Sequence, residues 1–270
     1  MTTVQFLGTG TPNPDPAHQG PAAAVVVNGQ PYIVDSGPGV VRQAAAAGFK
    51  MDQLTHVFFT HLHSDHTLGY PDLIFTPAVT GRTGPLNVCG PVGVRTMTNH
   101  ILEAWSQDRD TRLHGGEPSV PEAYKVRVQE FEGGLFFEDD NVRVRAFAVE
   151  HGKWQNAFGL RFETEDRVIV FSGDTTYSDN LVKNAQGCDV LVHEAYSSAG
   201  LAQRTPEWQR YHSTYHTSGS DVGYVASQVK PKLLLLYHLL PFGQPEGTIL
   251  EEVKEGYDGE VIEAVDLATY

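Results

Sequence analysis

The segment His61-Leu62-His63-Ser64-Asp65-His66 sets four potential metal ligands within six residues. On an extended backbone, residues two apart project to the same side, so His61 and His63 can grip one ion. Asp65 and His66 come a turn later and face a second. A polar loop that happens to be rich in histidine is the plainer explanation. With only 12 histidines in 270 residues, however, chance seldom builds a cluster at this spacing. Two ions about 3.5 to 4 Å apart need more ligands than this motif supplies. The remaining candidates are polar residues stranded at the ends of apolar runs: His151 after VRVRAFAVE, Asp174 after VIVFSG and His238 after LLLLY. Open α/β sheets build their sites at the carboxyl ends of strands. Taken singly, each of the three could be a cap or a satisfied loop residue; beside the cluster they are what a dinuclear site lacks.

The elements that must position these groups can be read from apolar patterning and turn residues. Short strands at Val4 to Leu7, Ala24 to Val27 and Tyr32 to Val34 form an opening meander, and HVFFTH is a buried strand that runs straight into the cluster. Helix (Gly69 to Pro77), strand (Leu86 to Cys89) and helix (Val92 to Trp105) follow, and Ser106 to Glu122 is expected to be a loop. Strands resume at Tyr124 to Phe131, Val142 to Val149, Ala157 to Glu163 and Val168 to Phe171. Strand and helix then alternate: Val190 to His193, Ser218 to Gln228, Leu233 to Tyr237, Ile249 to Gly256 and Val261 to Val265. Each half thus begins with strands and ends in alternation. That order predicts an α/β protein of two mixed sheets packed face to face with helices outside, a four-layer αββα sandwich. No shift in composition marks a linker, so residues 1–270 are expected to form a single domain.

On these residues the chain is identified as a member of the metallo-β-lactamase fold superfamily. His61, His63, Asp65 and His66 match its H-x-H-x-D-H signature, and His151, Asp174 in FSGDT and His238 match its later ligands. The resemblance implies the αββα fold and two Zn²⁺ per chain, with Mn²⁺ or Fe²⁺ as substitutes. It also implies the division of ligands: His61, His63 and His151 on the first ion, Asp65, His66 and His238 on the second, and Asp174 between them. Within the superfamily the chain most resembles the ribonuclease Z and arylsulfatase-like branch, through FLGTGTPNP, DSGPG, VHEA and HTS. In that branch the HTS histidine, here His216, lies near the metals and assists proton transfer or holds an oxyanion; the alternative is a histidine that caps a helix. Glu194 either orients His216 by accepting its ring proton or is a structural acceptor. His193 and His212 are weaker candidates.

The chemistry this implies is hydrolysis of a small-molecule ester. Two zinc ions lower the pKa of water from 15.7 to about 7, so a bridging hydroxide is the implied nucleophile, with Asp65 able to orient it. A phosphodiester or sulfate ester is the leading substrate, and a carboxylic ester, lactone or β-lactam is the alternative. The net charge of −14 and the lack of any basic run weigh against long nucleic acids. So does the short stretch between His151 and Asp174, where long-armed ribonuclease Z enzymes carry an RNA-gripping insertion. The continuation after His238, LLPFG, departs from that family's serine-arginine pattern as well. Arg109 or Arg112 in the segment after Ser106 could clamp an anion, and Trp154 and Phe242 are placed to form apolar walls. A redox protein or a non-catalytic metal binder are the rivals from other classes, but the ligand set is complete for hydrolysis. No signal peptide or membrane span is visible, and Cys89 and Cys188 sit among apolar residues as buried thiols do, so a cytoplasmic protein, by base rate a homodimer, is expected.

Overall fold

A computed structural model describes all 270 residues, which divide into two compact units. The first unit is made of Thr2–Gly8, Pro14–Phe131 and Asp266–Tyr270. Its strands are β1 (Thr2–Gly8), β2 (Ala22–Val27), β3 (Gln30–Val34), β4 (His56–Phe58), β5 (Leu86–Pro91) and β6 (Val126–Phe131), hydrogen-bonded in that order. The pairings from β1 to β3 are antiparallel and those from β3 to β6 are parallel. Helices α1 (Val40–Ala46), α2 (Ser64–Thr67), α3 (Tyr70–Thr80), α4 (Val94–Ala104) and α5 (Ser106–His114) fill the crossovers. The core joins Ile33, Val57, Phe59 and Val88 of the sheet region to Val41, Leu73, Ile74 and Val94 of the helices. Arg82 is fully buried in this unit and donates to the carbonyls of Leu54, Leu73, Ile74 and Ala123, tying the end of α3 to the chain around it.

The second unit holds Met1, Thr9–Asn13 and Glu132–Val265. Its strands are β7 (Gly134–Glu138), β8 (Arg143–Ala148), β9 (Phe158–Glu163), β10 (Val168–Phe171), β11 (Val190–Tyr196), β12 (Leu233–Leu240) and β13 (Val261–Glu263), again paired in chain order. The strands β7 to β10 are antiparallel and β10 to β13 parallel. Helices α6 (Asp179–Ala185), α7 (Ser198–Leu201), α8 (Pro206–Tyr215), α9 (Gly219–Val229) and α10 (Thr248–Lys254) belong to the parallel half. There VLVHEAY and LLLLYHLL are almost wholly buried, as parallel strands covered on both faces must be. Both sheets are therefore mixed, each opening as a meander and ending in crossovers.

One expectation needs correction. Ser106 to Glu122 is not a loop: its first half is the helix α5, closed at Gly115. The helix buries nothing, so no apolar stripe announces it, and a pair one turn apart, Arg112 to Asp108, supports it on the surface. The structure also adds α2, β7 and helices α6 to α8 to the elements read from the sequence. Cys89 and Cys188 are free and buried, and burial pushes each thiol up to about 12. No helix is long and apolar enough to cross a membrane.

Candidate metal centre

In the first unit the cluster lies where buried β4 gives way to α2. His61 and His66 are fully buried and Asp65 nearly so, while His63 is half-buried. Their orientation is set by Asp35, which follows β3. Its carboxylate accepts from the Thr60 amide at 2.9 Å, the Thr60 hydroxyl at 2.8 Å and His66 Nδ1 at 2.9 Å. Having given its proton to Asp35, the Thr60 oxygen is left to accept from His61 Nδ1 at 3.0 Å. Both histidines therefore carry the proton on Nδ1 and present the Nε2 lone pair, the tautomer a ligand needs. His61 Nε2 stands 3.0 Å from His63 Nδ1, and His66 Nε2 stands 3.5 Å from Asp65 Oδ2.

The turn after Asp35 holds α2 against β3. Ser36 donates its amide to the His66 carbonyl and receives that of Gly69 on its own. At Gly69 a Cβ would stand 2.2 Å from the Gly37 carbonyl oxygen, so only glycine permits this approach.

In the second unit, four polar groups come from four strand ends or loops. His151 is buried beyond β8, with Nδ1 donating to the Tyr215 carbonyl at 2.7 Å, which again leaves Nε2 as the ligand atom. Asp174 is buried just past β10. His238 lies in β12 at a bulge: Glu194 pairs with Tyr237 and Ala195 with Leu239, so His238 is the extra residue, and its φ is +49°. A bulge re-aims a side chain that regular alternation would send elsewhere. His216 ends α8, and Ser218, not His216, caps α9 by accepting from the Asp221 amide. His216 Nδ1 lies 3.3 Å from Glu194 Oε1, which also accepts the amides of Thr175 and Thr217.

Glu194 is fully buried, and that burial, with Asp174 nearby, drives its carboxyl well above the ordinary carboxylate range; His238 and the two amides oppose the shift. The neighbouring His193 is pushed down to about 4 by burial, its Nδ1 donating to the Glu194 carbonyl. His212, half-buried on α8, is also held down to about 4 by burial and by the nearby His216 and Arg204.

Within the second unit, ligand atoms of Asp174, His216 and His238 lie within 4.8 Å of one another. Asp174 and His238, two of the ligand candidates read from the sequence, come together there with His216, and Glu194 stands behind His216. The donors in this group and in the His61 to His66 cluster are imidazole nitrogens and carboxylate oxygens, nearly all buried. This donor set fits a pair of borderline divalent ions such as zinc, manganese or iron.

Arg112 does not present a free fork to an anion, since Asp108 and Glu117 occupy its guanidinium, and Arg109 pairs with Asp110. Trp154 donates its amide to the His151 carbonyl and packs on the core of its unit. Asp35 is the important residue that sequence reasoning passed over. It carries the same signal that singled out Asp174, an acid at the end of an apolar strand.

A family described as a beta-lactamase superfamily domain matches residues 31–239. The chain thus belongs to the metallo-β-lactamase superfamily, and it is a metal-dependent hydrolase of that fold. Its place is in the ribonuclease Z-like branch. A protein named Ribonuclease Z from Mycobacterium bovis (strain BCG / Pasteur 1173P2) is 31% identical over 245 residues, 89% of this chain and 87% of the relative. Among solved structures, the metallo-beta-lactamase fold protein YhfI from Bacillus subtilis superposes with a TM-score of 0.77 at 18% identity, covering 100% of this chain and 99% of the other. The short form of human tRNase Z does so with 0.75 at 23% identity, covering 99% and 98%.

Proposed function

We propose that the chain is a zinc-dependent phosphodiesterase of small molecules, working in the cytoplasm. The observation that carries this reading is the buried group of Asp174, His216 and His238 with Glu194 behind His216. In it, an ion-binding cluster adjoins a histidine whose ring is fixed by a carboxylate. His61, His63 and His151 would hold one zinc, Asp65, His66 and His238 the second, and Asp174 both. The bound ions supply Lewis acidity toward phosphoryl oxygens and bring the pKa of water down to about 7.

The chain's own residues do the rest. Thr60 and Asp35 fix the ligand tautomers, and Glu194 keeps the His216 proton on Nδ1 so that Nε2 faces the reacting bond. With its ring held at Nδ1 by Glu194, His216 would pass a proton to the leaving alkoxide, a step worth about 10² to 10⁴ in rate.

The size of the substrate is inferred from β9 and β10, which are joined through a tight turn at Thr164 and Arg167 with no room for an RNA-gripping arm, and from the charge of −14. Two free, buried thiols suit a reducing compartment.

The name carried by the mycobacterial relative favours a second reading, cleavage of a transfer RNA precursor at its 3′ end. Assay of the zinc-loaded protein on bis-4-nitrophenyl phosphate, 4-nitrophenyl sulfate, a homoserine lactone and a precursor transfer RNA with a 3′ trailer separates the possibilities. Turnover of the phosphodiester well above the other three, abolished by a chelator, is the expected result. Efficient trimming of the precursor alone would establish the second reading instead.

A further inference from the structure

Helix α8, with the sequence PEWQRYHSTY, buries none of its residues, yet four of its ten side chains are rings. Exposed helices that only decorate a surface are polar all round, so these rings call for a physical reason. Trp208 is 54% exposed.

The C-terminal end of α8 touches the metal centre at two points. The Tyr215 carbonyl holds His151 Nδ1, and the next residue is His216. The Tyr215 ring lies against Gly152, where a Cβ would come within 2.3 Å of the ring, so glycine at that position lets the helix seat itself on the His151 loop.

From there a ladder of rings leads outward along the helix. His238 and His216 are stacked with centroids 5.9 Å apart, His216 and His212 stand 5.7 Å apart, and His212 is stacked on Trp208 at 5.5 Å. Phe242 closes on His212 at 4.6 Å, and the Arg204 guanidinium sits 5.5 Å from the Phe242 ring. The ladder therefore begins at a ligand histidine and ends on an indole in solvent, with a cation alongside.

We infer that α8 is the substrate-recognition element of this enzyme, and that Trp208, with His212 and Phe242 toward the metal centre, forms a stacking subsite for a planar aromatic ring attached to the phosphodiester. The ligand class is a nucleotide or an aryl phosphate, whose shared chemistry is a π-face linked to a phosphoryl group. A flexible polar substituent such as glycerol gains little from stacked rings, whereas a base or aryl ring does, with little regard to its identity. Arg204 adds a charge that attracts the π-face or the phosphate. The inference rests on the phosphodiesterase reading for its phosphoryl half and on the ring ladder for its aromatic half, and the two can be tested apart.

The test is calorimetric titration of the zinc-loaded protein with AMP, 4-nitrophenyl phosphate and ribose 5-phosphate, with KM and kcat measured in parallel on bis-4-nitrophenyl phosphate. The stacking subsite predicts that at least one of the two aromatic probes binds about tenfold or more tightly than ribose 5-phosphate. Preference for AMP identifies a nucleotide site and preference for nitrophenyl phosphate an aryl site. Trp208→Ala should remove most of that margin and raise KM with kcat unchanged, and Trp208→Phe should restore it. The side chain lies on the surface, so the fold tolerates both changes. Equal binding of all three probes, or a margin untouched by Trp208→Ala, overturns the inference. If the margin depends on Trp208 but no phosphodiester turns over, the phosphodiesterase reading fails while the aromatic subsite stands.

Discussion

Asp35 accepts from two groups of Thr60 and from His66 out of a left-handed backbone, φ +58°, that few residues other than glycine, asparagine and aspartate adopt readily. Replacement by asparagine keeps the backbone, the volume and one acceptor oxygen. Its NH₂ accepts nothing, so either the Thr60 amide at Oδ1 or the Thr60 hydroxyl and His66 Nδ1 at Oδ2 lose their acceptor. Asp35→Asn should therefore lower zinc affinity by about 10- to 100-fold with the fold intact, as loss of a group that orients a ligand does, and a competition titration against a chelating indicator with parallel circular dichroism reads both. Unchanged affinity would show that the histidines need no such support.

His193 tests the burial around the site through pH. Its folded pKa of about 4 lies below the ordinary 6.5, so the unfolded chain takes up a proton first as the solution is acidified. The neutral ring's contribution is complete above about pH 6.5 and is lost as pH falls toward 4, about 3 kcal/mol in all. Urea unfolding between pH 7 and pH 4 should show a shallower acid loss in His193→Leu than in the parent. Parallel slopes would mean that the ring is not held neutral.

At the scale of elements, what could be read in the sequence follows from how each element is buried. The runs VIVF, VLVHEAY and LLLLYHLL have apolar side chains on both faces, so their patterning is plain; the end of the first locates Asp174 and the polar break within the last locates His238. Helices α5 and α8 bury nothing and leave no apolar stripe, so periodicity passes over them. For α8 a local signal was present, Thr205 followed by Pro206 at the first helical position. The bulge at His238 could not be read, because an extra residue in a strand depends on the partner it fails to pair with. The ligand histidines were legible from type and spacing; the contacts that set their tautomers, to the Asp35 carboxylate and the Tyr215 carbonyl, were not. A backbone carbonyl has no residue identity to read, and the Asp35 contact joins positions 31 residues apart.

For the whole molecule, a charge of −14 combines with a cationic centre that only bound metal provides. Such a distribution disfavours a polyanion spread over the surface and still admits a small anion to the centre. The account stands or falls on the buried histidines and aspartates holding two ions that the reaction requires. The direct test is metal analysis of the purified protein, before and after chelation and after zinc is restored, with phosphodiester turnover followed at each stage. The account predicts about two zinc per chain, turnover that disappears with the metal and returns with it, and an Asp174→Ala protein deficient in both. A protein that remains metal-free when zinc is supplied, or that hydrolyses the diester equally well after chelation, would contradict it.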